Sequence, residues 1–180
     1  QGAHPERYGA VVLAVPAPQA VPLLAPVAPA GTVVAASVRM RGSWAVMLRY
    51  AAPVAMSWEG AFINTGPLRW VARDSSKPGR TGPETWLLHA SPEWSDAHME
   101  DDADAVTAAL IAAFVALGGP APLAATAHRW RYADTEPPLA LGSWWDASLR
   151  LGMCGDWLNG GKVEGAWLSG RALAQQVQAA

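Results

Sequence analysis

The sequence predicts a mixed α/β (α+β) protein in which two αβ segments bracket an antiparallel sheet. Residues 149–174 run from an apolar strand through Gly-Asp and a glycine-studded loop into a helix. Ahead of them, the short, partly alternating runs TVVAASVRM, WAVMLRY, AFINT, LRWVARD and TWLLHA are separated by Gly, Pro and Ser turns, the pattern of one antiparallel sheet. The chain has 180 residues, 51% of them hydrophobic, enough for a substantial core.

Residues 8–15 are apolar and β-branched and read as a strand that Pro16 and Pro18 stop, with a short helix through residues 19–24. The sheet runs follow from Thr32 onward. Ser91 and Pro92 interrupt them. Glu100, Asp101, Asp102 and Asp104 then precede the apolar stretch AVTAALIAAFVAL, where negative charge suits a helix N-terminus, and Gly118 and Gly119 end that helix. Residues 123–132 read as a long strand, 135–142 as a proline-rich connection and 149–154 as the last strand before the final helix. Residues 1–28 and 143–180 are thereby expected to form one αβ domain, with a sheet-and-helix domain, residues 29–142, between them.

Composition narrows the function. The formal net charge of -2, from 13 basic and 15 acidic residues, gives no drive toward nucleic acid or an acidic membrane. Cys154 is the single cysteine, so an internal disulfide and a zinc ribbon are excluded. The apolar run 11–24 is broken by prolines and too short to cross a bilayer. Ten tryptophans against three tyrosines and two phenylalanines suit either a sugar- or cation-binding surface or, given their scatter from Trp44 to Trp167, core packing plus a cofactor pocket. His98 and the acids after it are adjacent rather than spaced on one helical face, which reads as a solvated helix start. No G-x-S-x-G, H-E-x-x-H or Walker loop occurs.

The chemistry-bearing stretch is CGDWLNGGKVEGAWLSG. A glycine pair lets backbone approach a ligand, Asp156 offers a carboxylate at a strand end, and a helix beginning near Lys162 presents free N–H groups and a positive dipole end. Gly165, Ala166, Ser169 and Gly170 are small residues one turn apart, suited to a flat ligand or to tight helix packing. On the strand from His128 to Tyr132, alternation puts His128, Trp130 and Tyr132 on one face and Arg129 and Arg131 on the other.

Together with YGAVVLAVPAPQA, WVARDSSKPGR, LLHASPEWS with its acidic helix, and AHRWRYA, this stretch resembles the C-terminal part of renalase-like, amine-oxidase-like FAD-dependent oxidoreductases. The resemblance implies a fragment of an FAD/NAD(P)-binding-type flavoprotein, with parts of the cofactor domain flanking an antiparallel-sheet substrate domain. The G-x-G-x-x-G turn of that family does not occur here, so the expectation is a C-terminal fragment that needs a missing N-terminal FAD-binding half. Gly155 and Asp156 would meet the ribityl and pyrophosphate part of FAD. Gly161, Lys162, Val163, Glu164, Gly165 and Ala166 would lie along the pyrimidine edge of the isoalloxazine ring, and Val15 and Pro16 beside the adenosine half. Asp74, Ser75, His89, Trp130 and Arg131 become substrate-pocket candidates. The implied activity is hydride transfer from an amine or a reduced-nicotinamide-like substrate to flavin, in a cytoplasmic enzyme with a small-molecule substrate and no nucleic-acid or membrane partner. The alternatives are a non-enzymatic tryptophan-rich binding module and a degenerate flavin-free relative.

Overall fold

The computed structural model describes residues 8–63 and 65–180; residues 1–7 of the first expected segment and Asn64 of the AFINT run lie outside it. Two compact units emerge. One joins the described residues up to Met40 to Asp134–Ala180, and the other is Arg41–Ala133.

The first unit holds β1 (Val11–Leu13), α1 (Ala17–Leu24), α2 (Pro29–Ala36), β7 (Trp144–Asp146), β8 (Leu151–Met153) and α5 (Lys162–Ala179). Its sheet has the order β1-β8-β7, with β1 parallel to β8 and β7 antiparallel to it. At Gly152 a Cβ would stand 2.6 Å from a Leu173 methyl and 2.9 Å from the Trp145 ring, so glycine lets α5 and the sheet close on one another. Residues 32–36, expected in a strand, are helical. Pro29 occupies the first turn of α2, where its missing N–H costs nothing, and the Thr32 hydroxyl donates to the Ala28 carbonyl. Packing overrides the β preference of Thr-Val-Val: α2 buries Gly31 and Ala35, and a Cβ at Gly31 would lie 2.9 Å from the Trp144 ring. The units therefore divide at residues 40/41 and 133/134, not at the expected 28/29 and 142/143. Ala17, Ala20, Leu24, Ala35, Met153, Trp157 and Leu158 form this unit's core.

The second unit is built on β2 (Met40–Tyr50), β3 (Gly60–Phe62), β4 (Leu68–Arg73), β5 (Glu84–Ala90) and β6 (Ala124–Thr135), with α3 (Pro92–Ala97) and α4 (Ala103–Ala116). The sheet order is β3-β4-β5-β2-β6, and the β3/β4, β4/β5 and β2/β5 pairs are antiparallel. Trp44, Val46, Leu48, Trp86 and Leu88 alternate inward and form one core with Val106, Leu110 and Phe114 of α4. Burying each such large side chain contributes about 1.5–3 kcal/mol. Ser91 caps α3 by accepting from the Trp94 N–H, and Asp102 caps α4 by accepting from the Asp104 N–H. Gly118, at φ 93°, takes the left-handed conformation that ends α4.

Candidate functional site

Beyond β8 the chain enters a loop whose backbone is fixed from several directions. Cys154 is buried, and burial pushes its thiol up, so it stays protonated. The Gly155 N–H donates to Ser169 Oγ at 3.0 Å, and the Asp156 carbonyl accepts from the N–H of Asn159 at 2.9 Å and of Gly161 at 2.8 Å. Gly160, Gly161 and Lys162 then follow with φ of 75°, 74° and 66°, a left-handed run that is free for the glycines and strained for the lysine. α5 starts at Lys162 with no side chain capping its first turn. The Asp156 carboxylate engages no hydrogen bond or ion pair among the described residues.

The Val15–Pro16 turn comes to the same place. Trp157 Nε1 donates to the Val15 carbonyl at 3.1 Å, tying together residues 142 positions apart. Residues 139–142 brace the loop from its other side: the Gly160 N–H donates to the Leu139 carbonyl, and the Leu139 N–H to the Trp157 carbonyl, each at 2.9 Å. The structure thus gathers Val15, Pro16, Gly155, Asp156, Gly161 and the first turn of α5, Lys162 to Ala166. Gly165 has a packing role there, since a Cβ would stand 2.4 Å from the Asn159 carbonyl oxygen. Val163 points outward, 89% exposed.

In the sheet unit the substrate-pocket candidates part company. His89 of β5 pairs with Ala45 of β2 and Trp70 of β4, on the face opposite the core residues Leu88 and Ala90. Burial first, then the charges of Arg69 and Lys77, hold its imidazole below the usual histidine range, so it is neutral at pH 7. Trp130 is 55% exposed and contacts the His128 ring at 4.4 Å. On β6, Arg129 lies over the Trp44 ring and donates to the Met99 carbonyl on the core side, which puts His128 and Trp130 on the open face with His89.

Arg131 points the other way and pairs with Glu100, its Nη2 2.9 Å from Oε2. Asp74 is engaged by Lys77 and Arg80, and Ser75 Oγ donates to Glu84 at 2.9 Å. Burial pushes the Glu84 carboxyl up, but hydrogen bonds from Trp86, Ser75 and the Val54 N–H, with the Arg73 charge, outweigh it and hold Glu84 below the usual carboxylate range. Asp74, Ser75 and Arg131 therefore serve ion pairs and hydrogen bonds within the unit, and Lys77, the partner of Asp74, is near enough to His89 to act on its imidazole. Asp101 pairs with His98, and no group of three or more metal-ligating His, Cys, Asp or Glu side chains occurs among the described residues.

No family model matches the sequence. A crystal structure described as "Putative protoporphyrinogen oxidase from Exiguobacterium sp. 255-15" is similar over 95% of this chain, with a TM-score of 0.72 at 12% identity. The likeness is one of fold. This chain spans 41% of the length of that one. The fold class read from the sequence, mixed α/β with an antiparallel sheet, is the one observed. Sequence reasoning misses the residues that hold the loop: Ser169 reads only as a small helix residue though its hydroxyl accepts from Gly155, Leu139 acts through its backbone, and Asn159 acts through its backbone and through an amide that donates to the Gly165 carbonyl.

Proposed function

We propose that this chain is part of an FAD-dependent oxidoreductase that takes a hydride from an amine or a reduced-nicotinamide-like substrate. The observation that carries this is the convergence of the Val15–Pro16 turn, the Gly155–Asp156 strand end and the uncapped start of α5, held by the Trp157–Val15 hydrogen bond. The residues present fit the cofactor. Asp156 has a carboxylate without a partner among the described residues, and a Cβ at Gly161 would meet only Pro138, 3.9 Å away, leaving the backbone open to a flat ligand. Gly155 and Asp156 would hold the ribityl–pyrophosphate part, Val15 and Pro16 the adenosine half, and residues 161–166 the pyrimidine edge. FAD, when bound, supplies the hydride acceptor. The chain's own contribution is orientation and electrostatics: the N–H groups opening α5 favour negative charge without a cationic side chain.

In this reading the remaining contacts to the pyrophosphate and adenosine of FAD are supplied by polypeptide beyond the described residues. Support comes from the edge of β1 that no strand pairs among the described residues, where Val11 and Val12 are 49% and 46% exposed, and from an adjoining groove of about 290 Å³ lined by Val12, Cys154, Gly170, Leu173 and Val177. An added parallel strand would cover both. The reading also makes the protein a cytoplasmic enzyme of a small-molecule substrate, without nucleic-acid or membrane partners; among the described residues no helix is long and apolar enough to cross a membrane.

The test is FAD titration of the protein from the complete reading frame that encodes this chain, with and without Asp156→Asn. Loss of a charge-assisted hydrogen bond should weaken FAD about tenfold or more. Unchanged affinity would remove Asp156 from the site.

A further inference from the structure

Cross-strand pairing lays out one face of the five-stranded sheet residue by residue. Phe62 pairs with Trp70, Trp70 with His89 and His89 with Ala45, so these four form one row across β3, β4, β5 and β2. Gly60, Ala72, Leu87 and Met47 pair in the same way and form the next row. Residues directly opposite one another share a face, and this face is turned away from the core that Val46, Val71 and Leu88 build with α4. Three inter-strand steps of about 4.8 Å make the strip about 14 Å long, and its two rows lie about 7 Å apart. Thr85 and Arg49, the following pair on the same face of β5 and β2, end it on one side with polar groups.

The Trp70 ring fills the space that a side chain at Gly60 would take, since a Cβ there would stand 2.9 Å from it, and the Phe62 ring braces it at 4.6 Å. Phe62 is 72% and Met47 41% exposed, so the strip is open among the described residues. None of its eight side chains is charged, and the one polar group among them is the His89 imidazole, neutral at pH 7 with one donor and one acceptor nitrogen. An ammonium or a carboxylate laid over these rows would lose water without meeting a counter-charge in either of them, whereas an uncharged ring avoids that cost and gains contact with the indole. The apolar positions run across the strands. Along β5 and β2, Leu87 and Met47 are followed by Thr85 and Arg49, which breaks the lengthwise stripe that a covering helix would need.

We propose that this two-row strip binds a flat, uncharged aromatic ring system, with Trp70 as the residue that selects flatness and His89 as the hydrogen-bond partner of a polar group on the ring. The inference rests on the reading of this unit as the substrate side of the oxidoreductase, and of the two substrate classes in that reading it takes the flat, uncharged one over the amine. Trp130 and His128 of β6, 4.4 Å apart on the same face, add aromatic surface at the sheet's other edge.

Calorimetric titration of the complete protein with naphthalene-2-carboxamide, its saturated analogue decalin-2-carboxamide, naphthalene-2-carboxylate and 2-(aminomethyl)naphthalene tests this. The flat carboxamide should bind about fivefold or more tighter than the saturated one, and tighter than either charged naphthalene. Trp70→Leu should remove the preference for the flat ring, Trp70→Phe should keep part of it, and Trp167→Leu, altered in the other unit, should keep all of it. His89→Leu should weaken the carboxamide by about the same factor, through the lost hydrogen bond. Equal binding of the saturated analogue, tighter binding of the carboxylate or the amine, no binding of the carboxamide, or a full preference for the flat ring in a folded Trp70→Leu protein would overturn the proposal. Should Trp70→Leu fail to fold, His89→Leu decides, and unchanged carboxamide affinity there overturns the proposal as well. Flavin content of the same samples separates the two readings: retained flavin without a flat-ring preference defeats this inference alone, and a flat-ring preference without flavin defeats the FAD assignment alone.

Discussion

Replacing Gly165 and Gly170 by alanine, one at a time, should move stability in opposite directions although both lie inside α5. Either substitution gains helix propensity, roughly 1 kcal/mol. At Gly165 that gain meets a backbone obstacle, because the new Cβ would stand 2.4 Å from the Asn159 carbonyl oxygen. Ordinary carbon–oxygen contact needs about 1 Å more, and Asn159 cannot simply retreat: its N–H donates to the Asp156 carbonyl at 2.9 Å, it bridges to Ala140, and its Nδ2 donates to the Gly165 carbonyl at 3.2 Å. Overpacking of this kind costs about 1–3 kcal/mol, so Gly165→Ala should be neutral to about 2 kcal/mol destabilised. At Gly170 the Cβ meets nothing within 4 Å, and Gly170→Ala keeps its full gain. A separation of about 2 kcal/mol corresponds to about 4–8 °C in Tm between the two variants, measured by circular dichroism on heating. Equal melting temperatures would refute the packing account of Gly165 and return that glycine to the ligand role alone.

Trp157→Phe should cost about 1–3 kcal/mol in chemical denaturation, because it leaves the Val15 carbonyl without its donor in a nearly closed environment. Asp156→Asn, by contrast, should leave stability within about 0.5 kcal/mol of wild type, since its carboxylate touches no partner among the described residues, so its effect should appear in FAD affinity only. The Glu84 carboxyl titrates below its ordinary 4.5 in the fold, so its contribution is present above that pH and lost as the pH falls through the folded value; Glu84→Gln should flatten the acid limb of a stability–pH curve. The Tyr50 phenol, pushed up to about 12 by burial first and the Glu84 charge second, works the other way. Its contribution is complete below pH 10.0 and lost as the pH rises toward 12, so Tyr50→Phe should show a shallower alkaline loss. A wild-type slope in either variant would contradict the corresponding assignment.

Local chemistry makes parts of this protein legible. The Gly-Asp strand end, the glycine pair and the start of α5 at Lys162 follow from residues that act on their own backbone, and alternation along β6 is enough to separate Trp130 from Arg131. α2 reads as strand because Thr32, Val33 and Val34 are β-branched, whereas its helical state goes with burial of Gly31 and Ala35, Gly31 lying against Trp144 more than a hundred residues away, which spacing does not show. Asp74 and Ser75 look available in sequence because their partners, Arg80 and Glu84, lie across a turn that spacing alone does not close. The bracing of the loop by Leu139 and Ser169 is hidden for the same reason: backbone and hydroxyl hydrogen bonds over long separations leave no pattern in composition.

The measurement that tests the central claim most directly is the absorption spectrum of the purified protein from the complete reading frame encoding this chain, with its Asp156→Asn variant alongside. The account expects bound flavin in the wild type and a marked loss of it in a variant of unchanged melting temperature. A folded, colourless wild type that takes up no added FAD would contradict it.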